Sequence, residues 1–127
     1  MMQFSKRSFL IATVLVGALT GCGGSSSSAP TTPVVADVVV SAVSGLRFNQ
    51  TSYTATSGDV SFAYVNADTI RHTLVVVQNG TEVAGFELKV NQKGDLDSGT
   101  VNLTPGTYVL LCTVPGHQSM KADFTVK

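Results

Sequence analysis

The stretch CTVPGHQSMKADFTVK, residues 112–127, decides how this sequence folds and what it can bind. Within nine positions it offers a thiol (Cys112), an imidazole (His117) and a thioether (Met120). The other histidine of the chain, His72, lies forty residues before Cys112. We therefore interpret the rest of the sequence as a frame that brings His72 to these three side chains.

Short β-rich runs separated by turn residues fill the chain from Val34 onward. Apolar and polar residues alternate in VSFAYV (residues 60–65), which is typical of a half-buried strand. The runs TLVVVQ and TEVAGFEL flank Asn79-Gly80, a pair that favours a two-residue type I′ hairpin turn. The polar residues 91–98 are interpreted as a loop, and no convincing amphipathic helix or internal repeat is found. The pattern predicts an all-β fold, an antiparallel Greek-key β-sandwich of about seven to eight strands.

The inward-facing positions of these strands supply enough apolar surface for a small domain without a disulfide. The predicted core contains Val38, Val40, Leu46, Phe48, Val60, Phe62, Tyr64, Leu74, Val76, Phe86, Leu88, Val101, Leu103, Tyr108, Leu110, Phe124 and Val126.

The first part of the chain is typical of an export signal. Lys6 and Arg7 precede an apolar run, residues 9–19, that is too short for a convincing membrane span. The sequence Leu-Thr-Gly-Cys ending at Cys22 resembles the lipobox of bacterial lipoproteins, which implies cleavage before Cys22 and lipid attachment to it. The alternative is a plain secretory signal with an incidental cysteine.

A linker rich in glycine, serine, proline and threonine follows, GGSSSSAPTTP, which has the composition of a flexible tether. We predict a signal peptide over residues 1–21, a lipidated Cys22 and tether over residues 22–33, and one domain over residues 34–127. The protein would be exported, anchored to a membrane by lipid, and would face the periplasm or the cell surface. Gly23 after the lipidated cysteine carries no recognised signal for inner-membrane retention, which favours the outer membrane.

Charge argues against a nucleic-acid partner. Without Lys6 and Arg7, six basic residues face eight acidic ones, and no basic run remains. We expect a monomer.

After lipidation of Cys22, Cys112 is the single remaining thiol, and an unpaired thiol in an exported domain favours a ligand or a reactive group.

A thiolate, two imidazoles and a weak axial thioether are the donor set of a blue-copper electron-transfer site. Soft sulfur ligands suit Cu(I), and imidazole suits Cu(II) as well, so little has to change when an electron arrives or leaves. Taken singly, a cysteine or a methionine is usually core filler and a histidine is usually a surface group. Residues 34–127 hold one cysteine, two histidines and one methionine, and this site uses all of them.

The chain also resembles the cupredoxins, the family of blue type 1 copper proteins, from about Gly45 to Lys127. The resemblance rests on LRFNQTSYTATSGDVSF (residues 46–62), NADTIRHTL (residues 66–74) and LTPGTYVLLCTVPGH followed by Met120. It implies that one copper ion is held by His72, Cys112, His117 and Met120, with Met120 as the axial ligand.

Further roles follow from the same resemblance. Thr73 would tie the ligand-bearing loops together, although a plain strand threonine is an equal alternative. Arg71 would place a positive charge near the metal, or would simply be solvated. Redox partner proteins, an electron donor and an acceptor, would dock where the edge of His117 emerges beside Val114 and Pro115.

One spacing departs from the family pattern. Only Gln118 and Ser119 separate His117 from Met120, and this short gap is combined with four residues between Cys112 and His117. Either Met120 closes the site as the axial ligand, or its bond is long and a nearby oxygen competes.

Three functions remain to be compared. The first is a membrane-tethered electron carrier that cycles between Cu(I) and Cu(II). The alternative is a copper-binding protein for transport or resistance, although the chain lacks methionine-rich or histidine-rich tracts. The third is a β-sandwich that has lost its metal. We do not expect an enzyme, because copper oxidases and nitrite reductases need further histidines and because a metal-bound His117 cannot serve Ser119 as a base.

Overall fold

Ten β-strands make up the described part of the chain, residues 34–127 of a computed structural model. In chain order they are β1 (Val38–Val43), β2 (Arg47–Phe48), β3 (Ser52–Ala55), β4 (Gly58–Asn66), β5 (His72–Gln78), β6 (Thr81–Glu82), β7 (Leu88–Val90), β8 (Leu96–Leu103), β9 (Gly106–Leu111) and β10 (Lys121–Val126). The predicted signal peptide (residues 1–21), the lipidated Cys22 and the tether (residues 22–33) lie outside the described residues and stay predictions.

The strands form two sheets. The first has the order β2-β1-β4-β8, and the second has the order β3-β10-β9-β5-β6, with β7 also paired to β5. Apolar side chains of both sheets form one buried cluster. The predicted all-β sandwich is confirmed.

Two pairings differ from a purely antiparallel arrangement. Strand β1 runs parallel to β4, with Val38 opposite Phe62, and β3 runs parallel to β10, with Tyr53 opposite Phe124. Side chains alternate along a strand in the same way in parallel and antiparallel pairs, so the sequence pattern does not distinguish them. The strand count exceeds the predicted seven or eight partly because β2 and β6 are only two residues long.

The hairpin turn at Asn79-Gly80 is confirmed: both residues have positive φ, 51° and 78°, as a type I′ turn requires.

The loop interpretation of residues 91–98 is wrong at its end, because β8 begins at Leu96, which pairs with Val65 of β4. Strand β8 lies at a sheet edge, where Leu96 is 54% exposed, so its outward polar residues resemble a loop in sequence.

The predicted core residues are buried except for Leu46 and Val101, which are half-buried. Leu46 has a φ of 54° in the turn before β2, which takes it out of the strand geometry assumed for it. Cys112 and Met120 join the buried cluster. In the described residues, no helix has the length and apolar character needed to cross a membrane.

Candidate metal centre

Strand register places Cys112 and Met120 side by side. In the antiparallel pair β9–β10, the buried residues Leu110 and Ala122 lie opposite each other. Cys112 comes two residues after Leu110 and Met120 comes two residues before Ala122, and the Cys112 N–H donates to the Met120 carbonyl at 3.1 Å. Because side chains repeat on one face every two residues, both sulfur-bearing side chains continue the core-facing rows.

Strand β5 brings the upstream histidine to the same end of the sheet. It pairs antiparallel with β9, and Val76 lies opposite Leu110. Leu74 and then His72 continue this inward row, and His72 is fully buried at the first position of β5. Possible ligand atoms of His72, Cys112 and His117 all lie within 4.8 Å of one another.

The ligand loop, residues 112–120, reaches across this end in two turns. The His117 N–H donates to the Val114 carbonyl at 2.9 Å, and Gly116 has a φ of 87°. Pro115 and Gly116 thus occupy the central positions of a type II turn, in which the second central residue needs a positive φ. The Met120 N–H then donates to the His117 carbonyl at 2.8 Å. The two residues between His117 and Met120 therefore form the middle of a single turn, and the short spacing is accommodated.

Within the centre, Cys112 Sγ lies 3.7 Å from His117 Nδ1, and the two imidazole ring centroids are 5.0 Å apart. The side chains of His72, Cys112 and Met120 are buried, whereas His117 is half-buried. The structure thus brings together the three predicted equatorial residues and places Met120 in the core directly opposite Cys112 in register.

An unpaired buried nitrogen shows that this group of residues fits a metal ion. His72 Nε2 lies 3.0 Å from Asp68 Oδ2, but His72 Nδ1 has no hydrogen-bond partner among the described residues. A buried polar atom without a partner is costly unless it binds something else. Neutral imidazole and thiolate in a His₂Cys arrangement with an axial methionine suit copper, and the ligand set His72, Cys112, His117 and Met120 fits one type 1 copper ion.

Thr73 contacts both ligand-bearing segments, which favours the tying role over a plain strand threonine. Its backbone N–H points at Cys112 Sγ at 3.4 Å, and its Oγ1 lies 3.7 Å from the same sulfur. The same Oγ1 accepts a hydrogen bond from the Thr113 N–H at 2.7 Å. These contacts orient the thiol and hold the start of the ligand loop against β5, as hydrogen-bond partners of metal ligands commonly do.

Charged groups surround the two imidazoles. Partial burial is the main cause of the lowered pKa of His117; the neighbouring His72 and Arg71 side chains lower it further, and the Asp68 carboxylate opposes this. A neutral imidazole is the form that binds a metal. Arg71 is exposed, as a solvated side chain would be, and among the causes of the lowered pKa of His117 it comes last.

Asp68 is the one site residue that the sequence analysis missed. It is buried, it contacts His72, and its pKa lies below the usual range because it accepts the Thr69 backbone N–H and, next in weight, the His72 side chain. Its only sequence signal is its position four residues before His72, in a run of polar residues typical of a solvated loop.

Comparisons with known proteins agree with this geometry. A model of the family described as copper binding proteins, plastocyanin/azurin family, matches residues 35–127. Among solved structures, auracyanin B aligns with a TM-score of 0.58 at 24% identity, over 74% of this chain and 91% of its own. The azurin of the obligate methylotroph Methylomonas sp. strain J aligns with a TM-score of 0.59 at 12% identity, over 74% and 99%. At these identities the two structures show the fold alone. No curated protein sequence matches the chain significantly.

Proposed function

Because this chain belongs to the plastocyanin/azurin family of copper-binding proteins, we propose that it is a one-electron carrier with a single type 1 copper centre. The observation that carries the proposal is the buried, partnerless Nδ1 of His72 beside Cys112 and His117. A copper ion bound there supplies a one-electron couple between Cu(I) and Cu(II). The protein's own residues hold the ligands in place and give the electron access to the surface.

The frame keeps the ligands in place. His72 is anchored at the first position of β5, and Cys112 directly follows β9, so packed strands of the second sheet support both. Thr73 adds contacts to the sulfur and to the ligand loop. A centre whose ligands do not move between the two oxidation states needs little reorganisation when an electron is transferred, which suits a carrier.

The ligand loop gives the electron a route to the surface. His117 is the one nitrogen ligand that is not fully buried, and Pro115 and Gly116 next to it are exposed. We place the docking of the electron donor and acceptor at this face, because apolar exposed surface of this kind is typical of interaction sites. Docking there would bring a partner's redox centre close to the edge of the imidazole.

The predicted lipid on Cys22 and the tether before residue 34 would hold the carrier at a membrane, outside the cytoplasm. We propose a monomer that performs no reaction of its own and serves larger redox proteins. The chain contains only two histidines, both used at this centre, so a second histidine-ligated copper site of the kind that copper enzymes need has no ligands left.

The test is to load the full-length chain with copper and record its visible absorption, paramagnetic resonance and voltammetry. We expect an intense thiolate-to-copper charge-transfer band and a reversible one-electron wave. A colourless copper complex would contradict the type 1 centre. A coloured complex without a reversible wave would contradict electron transfer and favour a role in holding or delivering copper.

The two cysteines of the sequence provide matched variants. Cys112→Ser should abolish the visible band and leave membrane association unchanged. Cys22→Ser should keep the band and release the protein from the membrane fraction. If Cys22→Ser stays in the membrane fraction, the lipid anchor is wrong, whereas the copper centre is unaffected by that result.

A further inference from the structure

Asp68 is a carboxylate that the copper site itself does not require. Its Oδ2 lies 3.0 Å from Nε2 of His72, and both side chains are buried, with 6% of Asp68 and none of His72 exposed. Arg71, three residues further along the chain, is exposed and makes no ion pair with Asp68. Among the described residues, His72 is therefore the only ionisable side chain that contacts the Asp68 carboxylate.

The surroundings of Asp68 are built for a carboxylate and not for an amide. Its Oδ1 accepts the Thr69 backbone N–H at 2.7 Å and lies 3.3 Å from the Ser44 hydroxyl, while Oδ2 faces His72. A backbone N–H can only donate, so Oδ1 must be an acceptor. An asparagine has a single oxygen, so it would turn an NH₂ group toward either Thr69 or His72.

The Asn66 side chain holds the loop that carries Asp68. Its Oδ1 accepts the Asp68 N–H at 2.9 Å, and its Nδ2 donates to the Ile70 carbonyl at 2.8 Å. Both ends of the loop that carries Asp68 are thus held by one buried amide at the end of β4. The contact between Asp68 and His72 is a fixed feature of the fold.

An ionised carboxylate at Nε2 determines the state of the imidazole. Because an ionised carboxylate can only accept a hydrogen bond, the N–H of His72 lies on Nε2 and donates a hydrogen bond to Asp68. Nδ1 then keeps its lone pair, directed toward the metal site. A carboxylate in this position makes the imidazole a stronger donor, and its negative charge stabilises a doubly charged ion more than a singly charged one.

We propose that Asp68 is a positioning residue that acts through His72 to bias the centre toward Cu(II) and so lowers its reduction potential. This inference rests on the proposed copper centre. Removal of the charge should weaken Cu(II) binding by about 10–100-fold, the range typical of such outer partners, and should weaken Cu(I) binding less. Each tenfold change in the ratio of the two affinities corresponds to about 59 mV for a one-electron couple.

The test compares Asp68→Asn with Asp59→Asn in the full-length chain by voltammetry and by Cu(II) and Cu(I) titration. Asp59 also accepts a side-chain hydrogen bond, from Asn102, but lies near the other end of β4, about 23 Å by strand rise from Asn66. Asp68→Asn should raise the potential by the equivalent of at least a tenfold affinity ratio, and Asp59→Asn should not. Equal potentials in the two variants would overturn the inference while leaving the copper centre intact.

A second measurement needs neither copper nor a variant that folds. Nitrogen-15 NMR of the metal-free wild-type chain reports which ring nitrogen of His72 carries the proton. We expect the proton on Nε2, with slow exchange with water. A proton on Nδ1 instead would overturn the inference. Failure of the wild-type chain to bind copper would contradict the proposed function, and this NMR result would still decide whether Asp68 fixes the imidazole.

Discussion

The two segments that supply the ligands are built in opposite ways. The upstream segment, residues 66–73, contains all four buried polar or charged residues of the described domain: Asn66, Asp68, His72 and Thr73. The ligand loop, residues 112–120, buries only the side chains of Cys112 and Met120 at its ends, and backbone turns hold the rest. The upstream segment thus fixes an imidazole inside the protein, whereas the ligand loop presents one to the surface.

The largest expected difference between the segments is in chemical rescue. His72→Ala and His117→Ala should both lose the visible band. Added imidazole should restore most of it in His117→Ala, because the half-buried side chain leaves a gap that opens to solvent. His72→Ala should not be rescued, because its gap is enclosed, and it should also lose about 2–5 kcal/mol of stability, as large-to-small core changes do. Absorption titrations with imidazole measure both, and equal rescue of the two variants would contradict the comparison.

The next effect concerns how the ligand loop closes. Met120→Leu conserves volume, so it should reduce stability by less than about 1.5 kcal/mol. The copper-loaded variant should stay coloured, and its reduction potential should rise, because the axial ligand tunes the potential and leucine donates no electrons to Cu(II). An unchanged potential would contradict Met120 as the axial ligand and would favour the competing oxygen.

The contact between the two segments can be weakened without touching a ligand. Thr73→Val removes the hydroxyl oxygen that accepts the Thr113 N–H. Leaving this donor without its partner should lower the free energy of unfolding of the metal-free protein by about 1–3 kcal/mol, measured in urea. Thr100→Val, on the exposed face of β8, is the control and should change it by less than about 0.5 kcal/mol. Equal effects would show that Thr73 does not join the segments.

The same contrast explains how much the sequence could predict. The ligand loop is local: Cys112, His117 and Met120 are close in sequence, and the flanking strands have a clear two-residue period. Their grouping therefore followed from spacing alone. His72 was found because the donor set needed a second imidazole, and Thr73 was identified only by its position next to it.

Asp68 could not be predicted in the same way. Its burial depends on Asn66 turning the loop at the end of β4 back toward His72, which is a tertiary arrangement. In sequence, NADTIRH has the composition of a solvated connection. The parallel pairing of β1 with β4 escaped prediction for a related reason, since the choice of neighbour leaves no trace in the alternation of either strand.

Smaller effects on stability are expected at two buried tyrosines, Tyr64 and Tyr108, whose hydroxyl groups differ in hydrogen bonding. The Tyr64 hydroxyl has no hydrogen-bond partner among the described residues, and burial raises its pKa, as does the nearby Cys112 charge. The Tyr108 hydroxyl donates to the Thr104 carbonyl at 2.8 Å. Tyr64→Phe should leave stability unchanged or raise it by about 1 kcal/mol, and Tyr108→Phe should lower it by about 1 kcal/mol. Thermal unfolding of the metal-free variants decides the signs, and a loss in both would show that Tyr64 has a partner.

The smallest expected effect concerns Asp37, an exposed carboxylate outside the upstream segment, in contrast to the buried Asp68 within it. Asp37 Oδ2 accepts the backbone N–H and the hydroxyl of Ser61, both at 2.8 Å. The pKa of Asp37 lies below its ordinary value of 3.8. The main cause is the hydrogen bond from the Ser61 backbone N–H, and the second is the hydrogen bond from the Ser61 hydroxyl. Because the folded form holds this proton less tightly than the unfolded chain, the contribution to stability is complete above about pH 3.8 and is lost as the pH falls through the lowered folded pKa.

Acid unfolding of the metal-free protein measures this contribution. Asp37→Asn should lose less stability than the wild type as the pH falls from about 5 to 2, because asparagine has no proton to gain. Ser61→Ala removes the hydroxyl but keeps the backbone donor, so it should show a smaller change in the same direction. Salt should reduce both differences, since Asp37 is exposed and solvent screens its charge. If Ser61→Ala matched Asp37→Asn in full, the Ser61 hydroxyl and not its backbone N–H would be the main cause of the lowered pKa of Asp37.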